Sequence, residues 1–389
     1  MTYDNQIVVS TARTIQEVEA MRDSWEKMES SPEVSIDYYL AIVKLRQHVI
    51  RPQVILLSQD GHPVTMLIGI IENMQLKYSI AGKVVLRPAV RSLTVILGGL
   101  IGKTSYSNST ILVSELLKSL KRREADIISF SEIPKNSPIY DLSKTKSSFF
   151  CRDHFPYIDR HYKMTLPSSI DKILKGKSRK RIRSQWKKLK SDFDGIVKVK
   201  TINETEQIER FCTDVEAISQ KTYQHAYGDG FVCNTETKFL LSLLVEQGCL
   251  RAYILYIEDT PCAYWLGYFH KDTFYSFPVG GTGYDPKHKK YGVGILLMWQ
   301  MIEDLCLDAR IRYLDFGFMD TPYKRKLCEL SWEEANFYIF QPTLKGISLN
   351  VLRVLFGLSH RFGNMILSHL ELKDKWEKFK RASVATKQG

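Results

Sequence analysis

Between Gly283 and Leu327 the chain brings together residue types that hold a phosphate and residue types that move a proton. Lys289-Lys290-Tyr291-Gly292-Val293-Gly294 opens an apolar stretch with helical periodicity. The lysines bring positive charge. Gly292 and Gly294 leave bare backbone at a helix start, where unpaired N–H groups and the helix dipole favour an anion. One predicted strand later comes Asp315, then Tyr323 and Lys324. A carboxylate at a strand end stands where open α/β sheets expose functional side chains. There it either takes a proton from an attacking amine or hydroxyl or caps the next loop. Lys324 has three readings: charge neutralisation at a phosphate, a pair with Asp315 or Asp320, or a solvated surface lysine.

Two further segments carry chemistry-bearing side chains. Lys172 to Lys190 holds ten Lys or Arg residues, Arg179 and Arg183 among them, interleaved with Ile182, Trp186 and Leu189 at helical spacing. One face of such a helix packs and the other is a dense positive field, either simply solvated or set against a polyanion. Thr222-Tyr223-Gln224-His225-Ala226-Tyr227-Gly228 is rich in groups that recognise sugars. His225 offers a second candidate base near neutrality, against the plainer reading of a structural histidine.

The elements that position these groups can be read from periodicity. Predicted helices cover Arg13–Ser30, Asp37–His48, Ser109–Arg123, Ser168–Lys190, Glu204–Tyr223, Thr235–Glu246 (with Thr235 as N-cap) and Val293–Asp308. Predicted strands Gln53–Leu57 and His62–Ile71 flank the turn Gln59-Asp60-Gly61, a hairpin signal. Strand Asp126–Phe130 follows the third helix. In the second half Leu250–Ile257, Cys262–His270 and Thr273–Pro278 read as a meander, and Arg312–Phe316 as the strand after the apolar helix. Hairpin, crossing, helix and strand thus occur twice, which predicts two similar α/β domains joined between Ser137 and Thr165. After Pro342 a long amphipathic stretch carries Ile347, Val351, Val354, Leu355, Leu358, Phe362 and Ile366 on one face. Its expected role is packing on the domain body, with a membrane-surface helix as the alternative.

Bulk properties narrow the function classes. With 389 residues, 44% apolar and 25% charged, the chain is globular in composition and large enough for two cores. Its apolar runs fall far short of the roughly 20 residues of a membrane span. No basic leader with an apolar block opens it, so a cytoplasmic location is expected, peripheral membrane association aside. Seven scattered cysteines without a C-x-x-C pair, and nine histidines without a paired ligand motif, argue against disulfides and a metal site. A net charge of +12 points to a polyanionic partner without naming it.

The run from Gly283 to Lys326 resembles a known family. Lys289 to Gly294 is similar to the Q/R-x-x-G-x-G/A turn of the GNAT acyltransferases, with Lys for the usual Gln or Arg. Gly-Tyr-Asp-Pro, then Lys-Tyr-Gly-Val-Gly, then Asp-Phe-Gly-x-x-Asp-x-x-Tyr-Lys resembles the C-terminal half of the CelD/BcsL-like acetyltransferases, a bacterial GNAT branch. Trp25 with Ser31-Pro32, and the basic helix around Lys177 to Arg183, look similar to earlier landmarks of that family. Two positions depart from it: Gly292-Val293-Gly294 replaces the common Ser-Pro-Gly, and Phe318-Met319 stands where a small residue and Gly are usual.

The resemblance implies an α/β (α+β) fold of two tandem GNAT-like domains, each a mixed, mostly antiparallel sheet flanked by helices. Their expected limits are 1–150 and 166–341, with the basic helix 168–190 in the second and a basic amphipathic helix at 342–389. It implies acetyl-CoA or another acyl-CoA as cosubstrate, no metal, and an amine or hydroxyl acceptor, with sugars or surface polysaccharide as the associated chemistry. Lys289, Lys290, Gly292, Val293 and Gly294 would bind the pyrophosphate, Arg179 and Arg183 the 3′-phosphate. Asp315 would act as base, Tyr323 as the acid for the departing thiolate, with Lys324 beside them and His225 as the alternative base. Fem-type aminoacyl transferases also resemble paired GNAT domains with a basic helical insertion, so a tRNA-dependent aminoacyltransferase is the second reading. A non-catalytic anion- or membrane-binding adaptor on the same fold is the third.

Overall fold

The computed structural model describes residues 7–28, 31–80, 83–222, 225, 228, 230–278 and 280–369. Among these the chain divides into two compact units, residues 7–159 with 333–369, and residues 160–332.

In the first unit, β1 (Ile7–Ala12), β2 (Val49–Gln59) and β3 (His62–Gln75) are consecutive antiparallel neighbours. Asp60 and Gly61 both take positive φ, 52° and 79°, the backbone that a two-residue turn between right-twisted strands requires. A small hairpin, β4 (Tyr78–Ile80) with β5 (Lys83–Leu86), precedes β6 (Ala89–Gly102), which pairs antiparallel with β3. The helix Tyr106–Lys121 then crosses over to β7 (Ile127–Pro134), parallel to β6 from Ser92 opposite Ile127 to Thr94 opposite Ser129. Strand alternation buries both faces of this sheet. Leu67 and Ile71 pack with Leu112, Leu116 and Ile128 on one side, while Met66, Ile68 and Ile70 pack with Trp25 and Tyr39 on the other. The stretch predicted as one helix over Arg13–Ser30 is two, Ile15–Glu19 and Arg22–Glu26. Thr14 and Glu17 close a capping box on the first.

The second unit repeats the plan. β8 (Tyr157–Thr165) leads in, and β9 (Val197–Ile202), β10 (Leu250–Ile257), β11 (Thr260–His270) and β12 (Thr273–Ser276) are successive antiparallel neighbours. The chain then returns to β11 as β13 (Thr282–Tyr284), crosses through the helix Val293–Leu307, and enters β14 (Tyr313–Gly317), parallel to β12. Leu296, Leu297 and Met301 of that helix pack on Tyr253, Leu255, Phe274 and Leu314. Of the other predicted helices, Ser168–Lys190 is a short turn at Ile170–Lys172 followed by Gly176–Asp192, and Glu204–Tyr223 is shorter, Ile208–Ser219. The helix Thr235–Glu246 is capped not by Thr235 but by Asn234, whose side chain accepts from Thr237 N at 2.8 Å.

The mixed, mostly antiparallel sheet flanked by helices is thus present in both halves, but the halves exchange a strand. β8 pairs with β14, placing Lys163 opposite Asp315. β15 (Leu330–Phe340) pairs with β7, placing Phe337 opposite Phe130, whose rings stack at 4.6 Å. Residues from Glu333 onward therefore belong to the first unit rather than to a domain ending at 341, and 160–165 to the second. The terminal helix runs from Leu344 to His369; the remainder of the predicted 342–389 segment lies outside the described residues. No described helix is long and apolar enough to cross a membrane.

Candidate active site

The basic turn folds as a short 3-10 helix, Pro286–Tyr291, started by Asp285 and ended by Gly292. Asp285 is buried; its carboxylate accepts from Lys221 Nζ at 2.8 Å and from Lys287 N at 2.9 Å. Burial works against its charge, but these donors prevail and hold the carboxyl below its ordinary value. Burial, reinforced by Lys287, Lys221 and Lys290, pushes the His288 imidazole down, with Asp285 opposing.

Gly292 sits at φ 68°, ψ 37°, left-handed backbone that an L side chain enters only with strain. It is also the N-cap of the helix Val293–Leu307 and supplies no side-chain cap. The intrahelical ladder begins with Leu296 N donating to Gly292 O at 3.0 Å. Val293, Gly294 and Ile295 therefore have N–H groups ahead of the ladder. Lys289 and Lys290 are exposed beside them, while Val293 itself is buried. The corresponding helix of the first unit differs: Ser105 caps Tyr106–Lys121 by accepting from Asn108 N, and Asn108 Nδ2 donates to Lys103 O and Thr65 Oγ1. That helix start carries a serine cap, which Gly292 cannot supply.

The basic helix Gly176–Asp192 packs against this turn. Tyr291 donates its hydroxyl to Asp192 at 2.8 Å, and Phe193 packs edge-on against both His288 and Tyr291. A methyl group on Gly292 would come to 3.1 Å from Gln185 Nε2, and one on Gly294 to 3.2 Å from Tyr284. Gln185 Oε1 is buried and has no hydrogen-bond partner. Arg183 is exposed, and Arg179 is half-buried in an ion pair with Asp171 at 2.6 Å. A left-handed glycine with little room for a Cβ, exposed lysines beside it and N–H groups ahead of the helix ladder suit an anionic group such as a phosphate.

Asp315 lies where the sheet opens. β12 and β14 are paired only as far as Tyr275 and Asp315, after which the chain continues as β13 on β11. The carboxylate is buried; Oδ1 is 2.6 Å from His161 Nε2 and accepts from Gly317 N at 2.8 Å. His161, on β8, stacks on Trp332 with ring centroids 4.4 Å apart. The sequence reading missed His161, because the segment before Thr165 looked like a joint between domains. It missed Gln185 as well, although Gln185 shares a helical face with Ile182 and Leu189.

The other predicted residues are distributed differently. Lys324 is buried, and its ammonium donates to Phe318 O at 2.7 Å and Gly317 O at 3.1 Å, strapping the loop after β14. Asp320 accepts from Tyr162 at 2.7 Å and pairs with Arg325 at 3.0 Å. Tyr323 is 37% exposed and packs edge-on against Phe316. His225 is half-buried, its N–H donating to Thr222 Oγ1 at 3.3 Å; Tyr223, Gln224, Ala226 and Tyr227 lie outside the described residues.

Residues 176–325 match the family profile described as acetyltransferase (GNAT) domain. No curated protein matches the chain. Among solved structures, a conserved protein of unknown function from Bacteroides thetaiotaomicron is similar at TM-score 0.49 and 12% identity, covering 86% of this chain and all of that one. FemX is similar at TM-score 0.48 and 11% identity, over 85% of this chain and 97% of its own. A tandem GNAT protein from the clavulanic acid biosynthesis pathway gives TM-score 0.47 and 10% identity, over 87% and 99%. The matched stretch, residues 176–325, lies within the second unit.

Proposed function

We propose that this chain is an acyl-CoA-dependent acyltransferase, with acetyl-CoA as donor and an amine or hydroxyl of a small molecule or sugar as acceptor. Surface polysaccharide precursors are the first acceptor class to test. One observation carries the reading: a single crossover from β12, through β13 and the 3-10 turn, opens an uncapped helix at Gly292 and returns as β14, whose Asp315 stands where β12 and β14 part. Lys289, Lys290 and the N–H groups of Val293, Gly294 and Ile295 would hold the pyrophosphate. Arg183, with Arg179 held by Asp171, would face the outlying phosphate. Bound acyl-CoA supplies an acyl thioester for direct attack by the acceptor. The proton lost by the acceptor would pass to the Asp315–His161 pair, whose Oδ1 and Nε2 lie 2.6 Å apart. Tyr323, partly exposed and edge-on to Phe316, is the candidate proton donor to the leaving thiolate.

The exposed face of Gly176–Asp192 favours a second reading. Lys177, Lys180, Arg181, Arg183, Lys187 and Lys188 all face solvent on one helix, a field suited to the backbone of an aminoacyl-tRNA. Thermal unfolding with acetyl-CoA, desulfo-CoA and bulk tRNA separates the two, because a ligand stabilises the state it binds. The first reading predicts an upward shift with both CoA species. No shift with either, together with salt-dependent tRNA binding, would replace it with the second.

A further inference from the structure

The terminal helix packs on the first unit by a face that its apolar pattern does not mark. Leu349, Leu352 and Phe356 enter a small core with Tyr78, Val90 and Phe340, and Tyr78 donates its hydroxyl to Leu349 O at 2.8 Å. Next to these, Asn350 donates to Phe150 O and Arg152 O, Arg353 grips both carboxylate oxygens of Asp153 at 2.8 Å, and Phe155 lies against Gly357. Of the stripe read from the sequence as the packing face, Ile347 and Val354 are half-buried and four residues are left outside. Val351, Leu355, Leu358 and Phe362 follow one another at four-three-four spacing and are 48%, 56%, 40% and 58% exposed. Phe149 and Phe150, at the end of the segment that Asn350 anchors, are 60% and 61% exposed. They form an edge-to-face pair at 5.5 Å, with Arg152 over the Phe149 ring at 4.9 Å.

The two segments that carry this apolar surface are basic in sequence, although Lys345 pairs with Asp126 at 2.6 Å and Arg353 with Asp153 at 2.8 Å. The 26 residues from Leu344 to His369 contain Lys345, Arg353 and Arg361 and no Asp or Glu. The segment Lys144 to Arg152 contains Lys144, Lys146 and Arg152 and no acid. Apolar side chains standing proud of a basic rim match the headgroup boundary of an anionic bilayer, where the rings and aliphatic groups enter the acyl edge and the cations stay at the phosphates. A symmetric contact with a second copy would instead set these cations against their own counterparts.

We propose that the first unit is a peripheral membrane-docking module. Phe149 and Phe150 act as an aromatic wedge, and the stripe from Val351 to Phe362 lies in the plane of an anionic lipid surface. The full chain should co-sediment with vesicles of phosphatidylcholine mixed with phosphatidylglycerol at least ~10-fold better than with phosphatidylcholine alone, and lose that binding at high salt. The variant Phe149→Ser/Phe150→Ser, and separately Leu355→Ser/Leu358→Ser, should each lower binding at least ~10-fold with the thermal midpoint unchanged, since these side chains face solvent. Lys144→Glu/Lys146→Glu should erase the preference for the anionic lipid. Failure to bind the mixed vesicles would overturn the proposal, as would undiminished binding by both serine variants. A concentration-dependent dimer in solution, abolished by those variants, would assign the surface to a second copy instead.

Discussion

Nε2 of His161 and Oδ1 of Asp315 lie 2.6 Å apart on adjacent antiparallel strands. The exchanged strand β8 makes this contact. Were β8 paired within the first unit, Asp315 would end its strand without a histidine. The buried carboxylate therefore does two things: it fixes the imidazole, and it accepts the N–H of Gly317 to shape the loop.

Replacing Asp315 by Asn keeps the shape and removes the charge. Turnover should fall at least ~100-fold, the lower range for loss of a general base, with coenzyme A affinity unchanged. His161→Gln should act in the same direction. Thiol release against a panel of amine and sugar acceptors measures both, and turnover at the wild-type level in Asp315→Asn would remove the pair from proton transfer.

Gly292→Ala places a Cβ on left-handed backbone and 3.1 Å from Gln185 Nε2. The backbone alone costs about 1–2 kcal/mol, so the urea midpoint should drop accordingly. Gly292→Asn, which tolerates this conformation better, should recover part of the loss.

Lys324→Met leaves two backbone carbonyls, Gly317 O and Phe318 O, without their charged donor. Hydrogen bonds of that kind are worth about 1.5–3 kcal/mol, and equilibrium denaturation should show a loss in that range. The prediction separates a strut from a phosphate ligand: a ligand role would weaken coenzyme A binding with little change in stability.

The turn should loosen in acid. His288 has its folded pKa lowered by burial, so its contribution to stability is present above the unfolded value near 6.5 and is lost as pH falls through the folded one. Asp285, also lowered, adds the same sign of dependence below its ordinary value near 3.8. Urea midpoints should therefore fall as the pH is taken below about 6.5, and His288→Gln should flatten the upper part of that decline.

Local chemistry made much of the second unit readable from the chain. Alternation and turn residues located β10, β11 and β14, and the glycines of the basic turn located the start of Val293–Leu307. Strand exchange was not readable, because β8 and β15 carry ordinary strand patterns and their choice of neighbour is decided by tertiary contacts such as Phe130 on Phe337. With β8 unplaced, His161 was invisible as a partner for Asp315. The terminal helix was read by its strongest apolar stripe, whereas a mixed face of Leu349, Asn350, Arg353 and Gly357 makes the contacts. Periodicity reports which faces are apolar, not which one is covered.

Calorimetric titration of coenzyme A tests the central claim, that the turn at Lys289 to Gly294 holds a phosphorylated acyl carrier. Wild type and Asp315→Asn should bind with affinities within about twofold of each other, since Asp315 serves the proton and not the phosphates. Lys289→Glu/Lys290→Glu, which reverses two exposed charges at the turn, should bind at least ~10-fold more weakly at low salt. Equal affinity for all three proteins, or no binding by wild type, would contradict the account.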